Sequence, residues 1–238
     1  MPTLGGGSGA RRSIILFALI GIGAYLLALI VTMPASVVFP NGAWRTGVAG
    51  TVWNGEVGVA GGASFGWKMA PLRSLTSLAF AADWKATGPD TDLGGQMIRH
   101  IGGRTVLDHV SGAADSNLLR ALQPNLPFTC NLAMQIEMQR IAVGGGARMA
   151  DGKVTTDPGS CRAKNAGGPV AVPALLITAE HVGDRTTIRV APSAQRMKTL
   201  LTAVLGEDGS LDISMTPDGA AVLPFVGLPA GVRVQGQM

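Results

Sequence analysis

The side chains here that are best suited to chemistry are three histidines, two cysteines and 15 carboxylates. His100 and His109 read as lying on the two strands of one hairpin. Asp108 stands beside them, so a weak metal site is conceivable. Two imidazoles and a carboxylate at that spacing fit a solvated surface better than a closed ligand set, and His181 stands alone. "GGSGA" at 6–10 only partly imitates a nucleophile elbow. "GGGAR" at 144–148 lacks the spacing and strand–helix context of a phosphate loop. The acidic residues are scattered singly. The sequence therefore predicts no catalytic, cofactor-binding or metal-ligating residue, and a protein that is not an enzyme.

Residues that do no chemistry must be explained by what holds them. Residues 14–33, "IILFALIGIGAYLLALIVTM", carry no charge. At about 1.5 Å per residue they span about 30 Å, the hydrocarbon thickness of a bilayer. Arg11 and Arg12 precede this run and the next basic residue is Arg45, which predicts a cytoplasmic N-terminus with the rest outside. A cleavable signal peptide is the alternative, but its apolar region is usually about 7–15 residues long, and "TMPASV" is a poor cleavage site. The layout predicted is a cytoplasmic tail at 1–13, a transmembrane helix at 14–33, a linker at 34–46 opened by Pro34 and Pro40, and an exported body at 47–238. Within the span, Ala18, Gly21, Ala24 and Ala28 fall on one side of the helix. A side so lined lets a second helix approach closely, although ordinary small-residue content explains it as well.

Charged residues make up 14% of the chain, glycine is abundant at 34, and the formal net charge is +4. So thin a positive surplus excludes a nucleic-acid footprint. After the span the apolar spacing shifts to period two. Strands are predicted at 47–53, 56–60, 63–69 and 78–87, with turns at Asn54-Gly55 and Gly61-Gly62 and a turn or single helical turn at 71–75. A further hairpin closes at Gly102-Gly103, and a short helix at 114–122 is capped by Asp115 or Ser116. Residues 130–139 read as one half-buried strand, with Cys130, Leu132, Met134, Ile136 and Met138 inward. More strands follow at 147–156, 172–180 and 185–191, then a hairpin in 198–217, a short apolar helix in 217–227 and an edge strand near 231–237. No βαβ spacing is present, so the fold class is mainly β: one N-terminal transmembrane helix, then an extended or curled antiparallel sheet with a few short helices.

An exported body in an oxidising compartment predicts a disulfide between Cys130 and Cys161, with two buried thiols as the alternative. Such a bridge closes a loop of roughly 32 residues and restricts the unfolded chain by about 3–4 kcal/mol. The four tryptophans, Trp44, Trp53, Trp67 and Trp84, all fall soon after the span. Trp44 suits the bilayer interface. The other three read as a local aromatic core, with a partner surface as the alternative. On that reading Trp53→Ala costs about 3–5 kcal/mol if the ring is fully buried.

Two motifs stand in this region. The first is G-x-x-G-T-V-W-x-G, carried by Gly47, Gly50, Thr51, Val52, Trp53 and Gly55. The second is G-x-W-x-x-x-P-L-x-x-L, carried by Gly66, Trp67, Pro71, Leu72 and Leu75. With the single anchor and the glycine-rich β body, they resemble the type II secretion system protein N family. The motif likeness covers residues 44–87. The resemblance implies a bitopic protein of the bacterial inner membrane whose bulk is periplasmic. It implies a non-enzymatic accessory or assembly role in exporting folded proteins across the outer membrane. The implied partners are other inner-membrane proteins of that apparatus and the bilayer, with no nucleic acid, small-molecule substrate or cofactor. The alternating faces at 130–139 and 211–216 also permit a second class, an AsmA-like periplasmic protein that binds or transfers lipid.

Overall fold

The computed structural model describes residues 8–37, 45–59, 62–116, 126–164 and 168–237. Helix α1 (Ser8–Val31) is followed by a 3-10 turn at Ala35–Val37. The strands are then β1 (Arg45–Gly50), β2 (Asn54–Val59), β3 (Ala63–Met69), β4 (Phe80–Gly88), β5 (Thr91–Arg99), β6 (Thr105–Asp115), β7 (Phe128–Asn131) and β8 (Ala133–Gly144). They continue with β9 (Ala147–Thr156), β10 (Gly159–Ala163), β11 (Val170–Val172), β12 (Leu175–Val182), β13 (Arg185–Pro192), β14 (Leu201–Gly206), β15 (Ser210–Met215) and β16 (Arg233–Gln237). Short helices α2 (Pro71–Ser77) and α3 (Pro217–Val222) interrupt them.

The strands build a 13-stranded antiparallel meander, in the order β1-β2-β3-β4-β5-β6-β8-β9-β12-β13-β14-β15-β16. The excluded strands β7, β10 and β11 pair with one another in a three-stranded sheet. Residues in register share a face. One row runs unbroken from β3 to β15: Phe65, Ala86, Leu93, Gly112, Ile136, Val154, Ile177, Val190, Leu201 and Met215. The neighbouring row on the other face runs Lys85, Gly94, Ser111, Glu137, Lys153, Thr178, Arg189, Thr202, Ser214 and Arg233. The sheet is thus amphipathic across almost its whole width. Lys85–Asp92, Lys153–Glu137 and Arg140–Asp108 ion pairs lie on its polar face.

The sheet bends towards the apolar face. Thr186 of β13 is fully buried on that side, and its hydroxyl accepts a hydrogen bond from the Ala150 amide of β9, two strands away, at 3.3 Å. At one end of the strands the apolar face is capped by the small sheet, α3 and the 3-10 turn at Pro224–Val226. Leu132, Cys161, Val172, Leu175, Leu200, Met215, Leu223 and Phe225 make this core. Cys130 and Cys161 stand directly opposite each other on β7 and β10 and are bonded, which ties together the two excursions from the meander.

Several boundaries differ from those the sequence predicts. The run 130–139 is not one strand: β7 carries Cys130 into the small sheet, Leu132 lies between strands, and β8 joins the large sheet at Ala133. Met134, Ile136 and Met138 do face the apolar side. Ala114 and Asp115 extend β6 by pairing with Met134 and Ala133, so the predicted helix does not begin there, and its residues 117–122 lie outside the described ones. The span 172–180 divides between β11 and β12, because Val172 completes the small sheet.

Candidate functional site

The motif region forms a joint between α1 and the sheet. The final carbonyls of a helix lack intrahelical donors. The motif reaches back to the end of α1: the Trp53 indole N–H donates to the Ile30 carbonyl at 2.8 Å, beside the Met33 amide at 3.4 Å, and the Val52 amide donates to the carbonyl of Met33, two residues past the helix, at 3.0 Å. Pro34 forms a bridge with Thr51. Ala35 is fully buried against Val57 and Trp67. A membrane-type helix is therefore hydrogen-bonded to the first hairpin rather than strung from it.

The hairpin differs from the predicted one. Thr51 and Asn54 close it with amide-to-carbonyl bonds in both directions, at 2.8 and 3.2 Å, so Val52 and Trp53 are the loop. Asn54-Gly55 opens β2 instead. The reason lies in packing: a Cβ on Gly55 would stand 2.6 Å from Cζ2 of Trp67, so Gly55 makes room for that ring. Gly50 takes φ +85 beside the loop, a conformation open to glycine. Gly47 follows an irregularity in the β1–β2 register. The predicted strand 47–53 thus stops at Gly50, and Trp53 lies outside the aromatic core.

Trp67 and Trp84 do form that core. They are opposite each other on β3 and β4, and Phe65 stacks on both at 6.3 and 5.9 Å between centroids. Trp67 is 8% exposed and donates its indole N–H to the Val52 carbonyl at 2.8 Å. Both motif tryptophans therefore grip one loop, Trp67 from below and Trp53 from within it. Trp44 lies outside the described residues.

Gly66 and Trp67 of the second motif lie on β3, while its Pro-Leu-x-x-Leu part forms α2. Pro71 occupies its first turn, where a missing N–H costs nothing. Ser74 ties it down: its hydroxyl donates to the Ala70 carbonyl at 3.0 Å and accepts from the Ala81 amide at 2.9 Å. Arg73 pairs with Asp83. Leu72 and Leu75 are exposed.

The other candidates are not brought together. His109 has φ 52 at a bulge partway along β6, and His100 lies in the turn before that strand. His100 donates its amide to the Arg104 carbonyl at 2.9 Å, and the five residue steps from Arg104 to His109 then separate the two histidines by roughly 16 Å. The Asp108 carboxylate is engaged by Arg140 at 2.7 and 3.4 Å, and that hydrogen bond holds the guanidinium above its ordinary range. Among the described residues no group of three His, Cys, Asp or Glu side chains is placed to hold a metal. Ala18, Gly21, Ala24 and Ala28 are all exposed on α1, and a Cβ at Gly21 would meet nothing within 4 Å. Ser13–Val31 is long and apolar enough to cross a membrane.

No protein-family model, curated protein or solved structure matches this chain.

Proposed function

We propose that this chain is a single-pass protein of the bacterial inner membrane that serves a type II secretion system as a non-enzymatic accessory or assembly component. Its N-terminus lies in the cytoplasm and its sheet in the periplasm. One observation carries the reading: the residues that give the likeness to protein N are those that join the anchor to the sheet. Trp53, Val52 and Thr51 hold the end of α1, and Gly55 gives Trp67 its seat. A helix coupled this firmly suits a part that transmits position across the membrane. Arg11 and Arg12 before the span support the orientation, and the Cys130–Cys161 bond suits an oxidising compartment. The side of α1 bearing Ala18, Gly21, Ala24 and Ala28 is the contact offered to a partner helix. The test is affinity capture of the full chain from solubilised native membranes. Enrichment of the other inner-membrane secretion proteins supports the reading; recovery no higher than with an unrelated single-pass protein contradicts it.

The unbroken apolar row from Phe65 to Met215 favours a second reading, in which the bent sheet carries lipid along its apolar side. Phospholipid extracted in stoichiometric amount from purified protein would favour it; protein washed free of lipid without loss of structure would count against it.

A further inference from the structure

The helix α2 is inside out. An ordinary surface helix turns its apolar stripe to the protein. Here the polar side chains Arg73 and Ser74 face β4, while Leu72 and Leu75 are 80% and 72% exposed. Leu78, which ends the helix, is 80% exposed as well. It holds φ 48, a left-handed conformation that glycine normally fills and that strains a residue carrying a side chain. Ile101, in the turn from β5 to β6, is 98% exposed. That turn is at the same end of the sheet, since Phe80 beside α2 pairs with Arg99 at the end of β5.

This end is also where α1 is attached. The Met69 amide donates to the carbonyl of Trp53, whose indole is bonded to Ile30 of α1. Leu72 is three residues beyond Met69, hence within about 11 Å of it along the chain. The leucines therefore stand beside the point where α1 leaves its apolar span. Arg99 and Arg104 flank Ile101 and are exposed, as cations are when they meet anionic headgroups.

We propose that Leu72, Leu75, Leu78 and Ile101 insert into the leaflet of the bilayer that α1 spans, so that the sheet is held against the membrane at a second point. The inference rests on the membrane-anchored reading of α1. It gives the Pro-Leu-x-x-Leu motif a task that core packing does not.

The test uses the full chain in nanodiscs containing anionic phospholipid. Single nitroxide labels are placed through Leu72→Cys, Leu75→Cys and Ile101→Cys, with Met197→Cys as the reference. Met197 is 89% exposed and lies between β13 and β14, at the opposite end of the strands. Collision rates with oxygen, which concentrates in lipid, are compared with those of a water-soluble nickel chelate. The expected result is an oxygen-to-nickel ratio several-fold higher at 72, 75 and 101 than at 197. Ratios equal to that at 197 would overturn the proposal, whether the surface then faces water or awaits a protein partner. A Leu19→Cys label separates the two levels. If it too reads as aqueous, the anchor reading fails; if it reads as lipid while 72, 75 and 101 do not, only this inference fails.

Discussion

Replacing Trp53 by phenylalanine removes the indole N–H but keeps an aromatic ring. The bond lost is the one to the Ile30 carbonyl at 2.8 Å. A hydrogen bond of this kind contributes about 1 kcal/mol net, and the exposed Ile30 carbonyl keeps a second donor, the Met33 amide at 3.4 Å. Each kcal/mol changes the ratio of closed to open joint by about fivefold. Trp53 is half-buried and lies outside the Trp67–Trp84 core, so this energy belongs to the joint and not to the sheet. Trp67→Ala is the contrast: it empties a site 8% exposed and should cost about 3–5 kcal/mol of global stability. Pulsed dipolar spectroscopy between labels at Leu19→Cys and Met197→Cys should show a broadened distance distribution for Trp53→Phe. Its denaturant midpoint should change little. The reasoning is refuted if the distribution is unchanged, or if Trp53→Phe destabilises the sheet as much as Trp67→Ala.

Two cysteine-to-serine changes at 130 and 161 should lower stability by about 3–4 kcal/mol, read from the denaturant midpoint, because the bond spans a separation of 31 residues. Native protein denatured without reductant should show no reactive thiol. Leucine at both Gly21 and Ala24 should reduce recovery of inner-membrane partners while leaving the abundance of the chain unchanged, as measured by quantitative capture. Asp208 accepts from the Ser210 hydroxyl at 2.7 Å and the Ser210 amide at 2.9 Å, which lowers its pKa below the ordinary carboxylate value. Its contribution is thus present above the unfolded pKa and is lost as pH falls through the folded one. Ser210→Ala should move the Asp208 titration, followed by NMR, back towards the ordinary value.

Strands bounded by strong punctuation were legible from residue types. β3 runs from Ala63 to Met69 as the alternation predicts, because Gly62 and Pro71 mark its ends. β9 likewise runs from Ala147 to Thr156. Alternation cannot say which sheet a strand joins, however. The pattern from Cys130 to Gln139 continues unbroken while the chain changes partners at Leu132. Asn54-Gly55 carried the usual mark of a tight turn, but the glycine was needed under Trp67, and the loop moved to Val52-Trp53. The disulfide was legible because a chain with only two cysteines offers a single internal pairing. The exposure of Leu72 and Leu75 was not, because short helices with two leucines usually cover a core. The long apolar row was visible strand by strand, but became a surface only once register aligned it.

The central claim is that this chain serves the export of folded proteins. It is tested most directly by deleting the gene in the native bacterium and measuring a secreted enzyme in the periplasm and in the medium. The account predicts that folded enzyme still enters the periplasm but falls in the medium, and that the intact gene restores it. Undiminished enzyme in the medium, under conditions where the secretion system is required, would contradict it.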